Sequence, residues 1–101
     1  MNKATHWRVP LDHPALAGHF PANPILPGVV LLDLALHIIA DSSGLALERC
    51  EISSLKFLGP ARPGDALLIR HSVSASGTLR FDIVAGRRKI ASGTVVPGSS
   101  A

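Results

Sequence analysis

The chain has 101 residues, 47% of them apolar and 17% charged, with a formal net charge of +3; this is the size of one domain with a small core of its own. Its basic residues are thinly spread and its aromatic ones reduce to Trp7, Phe20, Phe57 and Phe81, which argues against nucleic acid as a partner. So much apolar side chain on so short a chain predicts a subunit interface, in its simplest form a homodimer.

In chain order, residues 1–6 lack the apolar core of a signal peptide. Residues 5–9 read as a short strand, with Trp7 assigned to core or interface packing. Residues 10–28 hold five of the eight prolines and two glycines, which predicts an ordered loop; a loop of that length inside a small domain is usually functional. From 29 to about 41 the residues are apolar around the whole circumference of a helix, which predicts a helix buried on all sides. Pro27 and Gly28 mark its start and Asp41-Ser42-Ser43-Gly44 its stop. The longest apolar stretch, 25–40, is broken by Pro27, Asp33 and His37 and falls short of a membrane span. Cytoplasmic residence without membrane contact is therefore expected.

The texture then changes to strands, predicted over 50–58, 65–75, 78–85 and 89–96 and separated by Gly59-Pro60, Arg62-Pro63-Gly64-Asp65, Ser76-Gly77 and Gly86-Arg87-Arg88. Short turns between strands of this length predict an antiparallel meander. Cys50 is the one cysteine, so no intramolecular disulfide can form and a reducing compartment fits; a buried, inert thiol is expected there. His6 and His71 fall in strands and read as surface or interface residues. The basic cluster Arg87-Arg88-Lys89 reads as a solvated hairpin tip or as a contact for an acidic protein partner. One helix with four or five antiparallel strands gives a single α+β domain over residues 1–101, the sheet wrapped around the helix.

The chemistry-bearing residues cluster in the first half. Asp33 and His37 are the only ionisable residues between Val29 and Ala40 and lie four apart, on one face. A carboxylate in apolar surroundings needs a partner or a proton, so the two read either as a structural pair, with Asp33 favoured by the helix dipole, or as part of a site. His19, held between Gly18 and Pro21 in the loop just upstream, supports the second reading. An imidazole and a carboxyl group in a water-poor setting are what α-proton abstraction and β-hydroxyl loss require. His13, His19, His37 and Asp33 are metal-ligand types, but their spacing matches no standard ligand pattern, and no metal is expected.

Gly18-His19-Phe20-Pro21-x-x-Pro24-x-x-Pro27-Gly28-Val29 with an acid at position 33 resembles the signature of the β-hydroxyacyl-acyl-carrier-protein dehydratases of the FabA/FabZ type. The segment from Leu55-Lys56-Phe57 through Pro60 to Pro63-Gly64-Asp65-Ala66-Leu67 is similar to a second segment of that family, in the right order and spacing. The resemblance implies the hotdog fold, a curled antiparallel sheet around a central helix. It also implies homodimers whose sites lie at the interface, and substrates carried on the phosphopantetheine of acyl carrier protein, with no further cofactor. Carried over by position, it makes His19 the catalytic base, Asp33 its acidic partner and Gly28 the backbone N–H donor to the thioester carbonyl; Phe20, Leu32, Leu36 and His37 line the site. The activity implied is dehydration of 3-hydroxyacyl thioesters to trans-2-enoyl thioesters in fatty-acid or related acyl-chain synthesis. Arg62, Arg87, Arg88 and Lys89 are candidates for recruiting the acidic carrier.

The chain departs from the family pattern in three places. Asp33 stands where the commonest members carry glutamate and is like the branch that also isomerises its product. His37 stands where both branches show glutamine. The length is short for the family, as though N-terminal structure were missing. Two other readings stay open: a hotdog acyl thioesterase using Asp33 to activate water, and a non-catalytic acyl-carrier-binding or partner subunit.

Overall fold

The computed structural model of the chain describes residues 2–11, 26–44, 47 and 50–97. Five strands and one helix follow in the order β1 (Asn2–Arg8), α1 (Gly28–Ser43), β2 (Glu51–Phe57), β3 (Ala66–Val73), β4 (Leu79–Ala85) and β5 (Arg88–Val96). The strands form one antiparallel sheet in the order β1-β3-β4-β5-β2, curled against the helix as the hotdog arrangement requires. The expected meander therefore extends only over β3-β4-β5. β2 precedes them in the chain but pairs with β5 at the far edge, because the segment after it crosses to the other side of the sheet before β3 begins.

Alternation along the strands explains which face packs. Leu67, Ile69 and His71 of β3 and Leu79, Phe81, Ile83 and Ala85 of β4 are buried, and the apolar ones form one core with Ile90 and Val95 of β5 and Leu31, Ala35 and Ile39 of α1. Complete burial of each large aliphatic side chain in this set contributes about 1.5–3 kcal/mol. Gly93 is opposite Phe81, and a Cβ there would lie 2.7 Å from the Phe81 ring, so glycine is what lets the ring lie flat on β5.

Two irregularities shape the β2 side of the sheet. The pairing slips by one residue at Ser53 and again at Ile90, each a bulge of the kind that bends a strand. The bulged Ile90 turns its carbonyl toward the segment after β2, where it accepts the N–H groups of Leu58 (2.8 Å) and Gly59 (3.3 Å). The next turn is held by Asp65, which accepts the Arg62 N–H (2.9 Å) and Arg88 Nη2 (3.0 Å), while Arg88 Nη1 reaches the Pro60 carbonyl (3.3 Å). Leu26, just before the helix, donates its N–H to the Ala61 carbonyl (2.7 Å). The helix start is thus tied to the crossing segment.

The helix begins after Pro27 and ends at Gly44, whose left-handed backbone (φ 75°) lets its N–H return to the Ala40 carbonyl. Its flanks match the expected start and stop, but its surroundings do not match the expectation of burial on all sides. Leu31, Ala35 and Ile39 form the buried stripe, whereas Val29, Asp33, His37 and Asp41 are exposed on the opposite one. A single sheet covers one face of a helix, and within this chain nothing among the described residues covers the other. Cys50 is half-buried rather than enclosed.

Candidate active site at the exposed face of the helix

Asp33 and His37 project from the open stripe one turn apart, with side chains 72% and 75% exposed. Within the single chain this is not the water-poor setting expected for them. His37 Nδ1 lies 2.8 Å from the Asp33 main-chain carbonyl and 3.5 Å from its Oδ1. A carbonyl can only accept, so Nδ1 carries the hydrogen, and Nε2 is the nitrogen left to titrate. The hydrogen bond to the Asp33 backbone first, and the Asp33 carboxylate second, raise the His37 pKa above its usual 6.5, with a smaller push from Asp41.

Leu32 and Leu36 are half-buried and pack against the core from the flank of this stripe. Gly28 opens the helix, and no side chain among the described residues caps that end, which leaves the first-turn N–H groups available. The ring of Phe57 lies over Gly28: a Cβ at position 28 would sit 2.9–3.1 Å from three of its atoms. A side chain at position 28 would require the half-exposed Phe57 ring to shift. Beside it Leu26, Val29, Leu31, Phe57, Pro60 and Ala61 line a hollow of about 560 Å³. Val29 is one helical turn before Asp33, about 6 Å along the axis, so the hollow lies on the same helix face as the Asp33–His37 pair. His19 and Phe20, like His13, lie outside the described residues.

A larger groove, about 790 Å³, runs over the other face of the sheet, among Ser54, Lys56, Arg70, Arg80, Asp82 and Thr94. None of the candidate residues lines it, and its centre is the Arg70–Asp82 ion pair (2.8 Å). It is the solvated side of an antiparallel sheet. Of the basic residues proposed for carrier recruitment, Arg88 is engaged with Asp65 and Pro60, while Arg62, Arg87 and Lys89 are exposed.

Two residues with consequences were not singled out from the sequence. Phe57 was present in the second family-like segment, but its place over Gly28 depends on β2 lying at the sheet edge beside the helix start. His71 was read as a surface or interface residue, yet it is 4% exposed and its Nδ1 has no hydrogen-bond partner among the described residues. The available signal was the period of two, which puts His71 on the same face as Leu67 and Ile69. Among the described residues no helix is long and apolar enough to cross a membrane.

A family model described as the ApeI-like ApeI dehydratase matches residues 2–94. The 3-hydroxyacyl-acyl-carrier-protein dehydratase FabZ of Acetivibrio thermocellus is 34% identical over 90 residues, covering 81% of this chain and 58% of the relative. The chain spans about half the length of the curated relatives it matches. Among solved structures, the dehydratase heterocomplex ApeI:P from Xenorhabdus doucetiae superposes with a TM-score of 0.77 at 23% identity, covering 94% of this chain and 85% of that one. The fluoroacetyl-CoA thioesterase FlK superposes with a TM-score of 0.69 at 15% identity, covering 94% and 82%. Both likenesses are of fold. The match over nearly the whole chain decides the family: this protein belongs to the ApeI-like dehydratases.

Proposed function

We propose that the protein dehydrates 3-hydroxyacyl thioesters, presented on the phosphopantetheine of acyl carrier protein, to trans-2-enoyl thioesters, and does so as a homodimer with its sites between subunits. The observation that carries this reading is the convergence of the uncapped helix start at Gly28, the apolar hollow beside Phe57 and the Asp33–His37 pair on one open helix face.

In this reading the hollow takes apolar acyl chain, and the Gly28 N–H with the helix dipole bears on the thioester carbonyl as negative charge develops there. Neutral His19 removes the C2 proton. The C3–O bond breaks with its electron pair on oxygen, and a proton delivered from the Asp33 side of the site lets it leave as water. No cofactor is required. A proton-transfer role of this kind is worth about 10²–10⁴-fold in rate. A facing subunit that covers the stripe of Val29, Asp33 and His37 would supply the dry surroundings that the single chain lacks.

A second reading, in which the partner is not a second copy, is favoured by the heterocomplex that the ApeI protein of Xenorhabdus doucetiae forms. The test is dehydration of 3-hydroxyacyl carrier-protein thioesters, and hydration of the enoyl products, by wild type, His19→Ala and Asp33→Asn, with free thiol followed in the same tubes. Interconversion lost in both variants is the expected result. Thiol release without interconversion replaces the dehydratase with a thioesterase. Silence from a folded protein on every substrate favours a partner subunit.

A further inference from the structure

The segment that crosses from β2 to β3 forms one wall of the apolar hollow, and its attachments govern how firmly that wall stands. We propose that Arg88 is a positioning residue of the site: its guanidinium holds the crossing segment at the distance from the helix start at which the hollow admits an alkyl chain. The inference rests on the hollow being the acyl-chain site of the proposed function, and it names what sets the shape of that site.

The sequence makes this wall hard to hold by backbone bonds alone. Gly59-Pro60-Ala61-Arg62-Pro63-Gly64 contains two prolines, which have no N–H to donate. Its ends are pinned. Leu58 and Gly59 donate to the Ile90 carbonyl, Gly64 donates to the Val9 carbonyl (2.8 Å), and Arg8 Nη1 donates to the Gly64 carbonyl (2.9 Å). Between the pins, the Leu26 N–H bonded to the Ala61 carbonyl ties the segment to the helix side. Arg88, the first residue of β5, holds it from the sheet side. Nη1 donates to the Pro60 carbonyl at 3.3 Å, and Nη2 donates at 3.0 Å to Asp65 Oδ2, which also accepts the Arg62 N–H. One planar, rigid fork thus links a carbonyl near the start of the segment to a carboxylate at its end.

Pro60 and Ala61 line the hollow from this segment, and Gly28 and Leu31 line it from the helix. The Arg88 and Asp65 side chains are 47% and 20% exposed, so their pairing adds little to the stability of the whole fold and acts on the segment it spans. A wall ordered before the ligand arrives spares the cost of ordering it on binding. Without the guanidinium the Pro60 carbonyl is left to water, and the ligand itself has to order the wall. The helix start is fixed separately, because Leu31 and Ala35 are set in the core. The loss therefore falls on binding of the chain rather than on the chemistry at the thioester. Turned inward in this way, Arg88 serves the hollow rather than the recruitment of a carrier.

The test uses thioesters of pantetheine without carrier protein, so that a loss cannot come from carrier docking. Arg88→Met keeps a long side chain and removes the fork. Its KM for a 3-hydroxyacyl-pantetheine should rise roughly three- to tenfold, with kcat within about twofold of the wild type. Its Kd for S-octyl-pantetheine, a thioether with no carbonyl to react, should rise by the same factor in titration calorimetry. Arg88→Lys, whose ammonium is a single point rather than a fork, should fall between the two. Millimolar guanidinium chloride should restore the affinity of Arg88→Met, a rescue that a merely weakened fold would not show, and the urea midpoints of the three proteins should lie close together. An Arg88→Met protein that binds S-octyl-pantetheine as the wild type does overturns this proposal alone. So does a loss of affinity that guanidinium leaves in place. A wild type that does not bind S-octyl-pantetheine overturns the reading of the hollow, and the proposal with it. A wild type that binds it but makes no enoyl product overturns the dehydratase reading, and the Kd comparison then decides the role of Arg88 without it.

Discussion

His71 is where a single residue departs most from what its neighbours demand. It sits in a row of buried aliphatic side chains on β3, opposite Lys3 across the β1 pairing, with Nδ1 lacking a partner among the described residues. Burial first, and then the positive charge of Lys3, push its pKa below the usual 6.5. The sign follows from linkage. Above 6.5 the ring is neutral in folded and unfolded chains alike and the fold is at full strength. Below 6.5 the unfolded chain takes up a proton that the folded one resists, so stability falls as pH drops toward the lowered folded value and levels off beneath it. Urea midpoints at pH 7.5 and pH 5 should therefore differ in the wild type, and the difference should shrink in His71→Leu, which keeps the position apolar. An equal acid loss in both proteins would place its origin elsewhere. His37 contributes with the opposite sign, because its pKa is raised, but it is exposed and common to both proteins, so it cancels in the comparison.

At the scale of elements, the strands and the helix ends were legible because their signals are local. Period-two alternation marks β3 to β5, and Pro27-Gly28 and Gly44 bracket α1 through backbone geometry alone. What was not legible depends on which element meets which. Val29, Leu32 and Leu36 look alike in sequence, yet Val29 is 77% exposed while the leucines pack against the core, because a helix apolar all round does not say which side the one available sheet will cover. The same gap hid the pairing of β2 with β5 and, with it, the place of Phe57 over Gly28. Of the site itself, the Asp33–His37 spacing was readable from the 3.6-residue period, but its exposure was not. The two stripes of α1 should respond differently to truncation. Ile39→Ala empties a fully buried position and should lower unfolding free energy by about 2–5 kcal/mol. Val29→Ala, on the open stripe, should leave the stability of the single chain within about 0.5 kcal/mol. Chemical denaturation of the two variants at low protein concentration checks this, and comparable losses in both would mean that Val29 is covered even there.

For the molecule as a whole, the question is which surface meets a partner, and the sheet offers two edges. β1 has Lys3, His6 and Arg8 exposed along it, the charged composition that blunts strand pairing. β2 has Ile52 and Phe57 exposed, with Leu58 just after it, Val96 on the neighbouring strand and Val29 on the helix beside it. Unpaired backbone and exposed apolar side chains coincide at β2, and both are relieved at once if a second β2 pairs with it antiparallel. That pairing would extend the sheet across two chains and bring a facing surface toward the open stripe of α1, where Asp33 and His37 lie. We expect the protein to run at twice its 10.6 kDa in light scattering at micromolar concentration. Ile52→Lys combined with Leu58→Lys should reduce it to single chains, while His6→Glu on β1 should leave the mass unchanged. Loss of dehydration in the β2 variant, with its fold intact by circular dichroism, would tie the interface to the site. A wild type that stays at the mass of one chain, or one whose doubling is lost with His6→Glu instead, would remove β2 as the joining edge and leave the open helix face to a different partner.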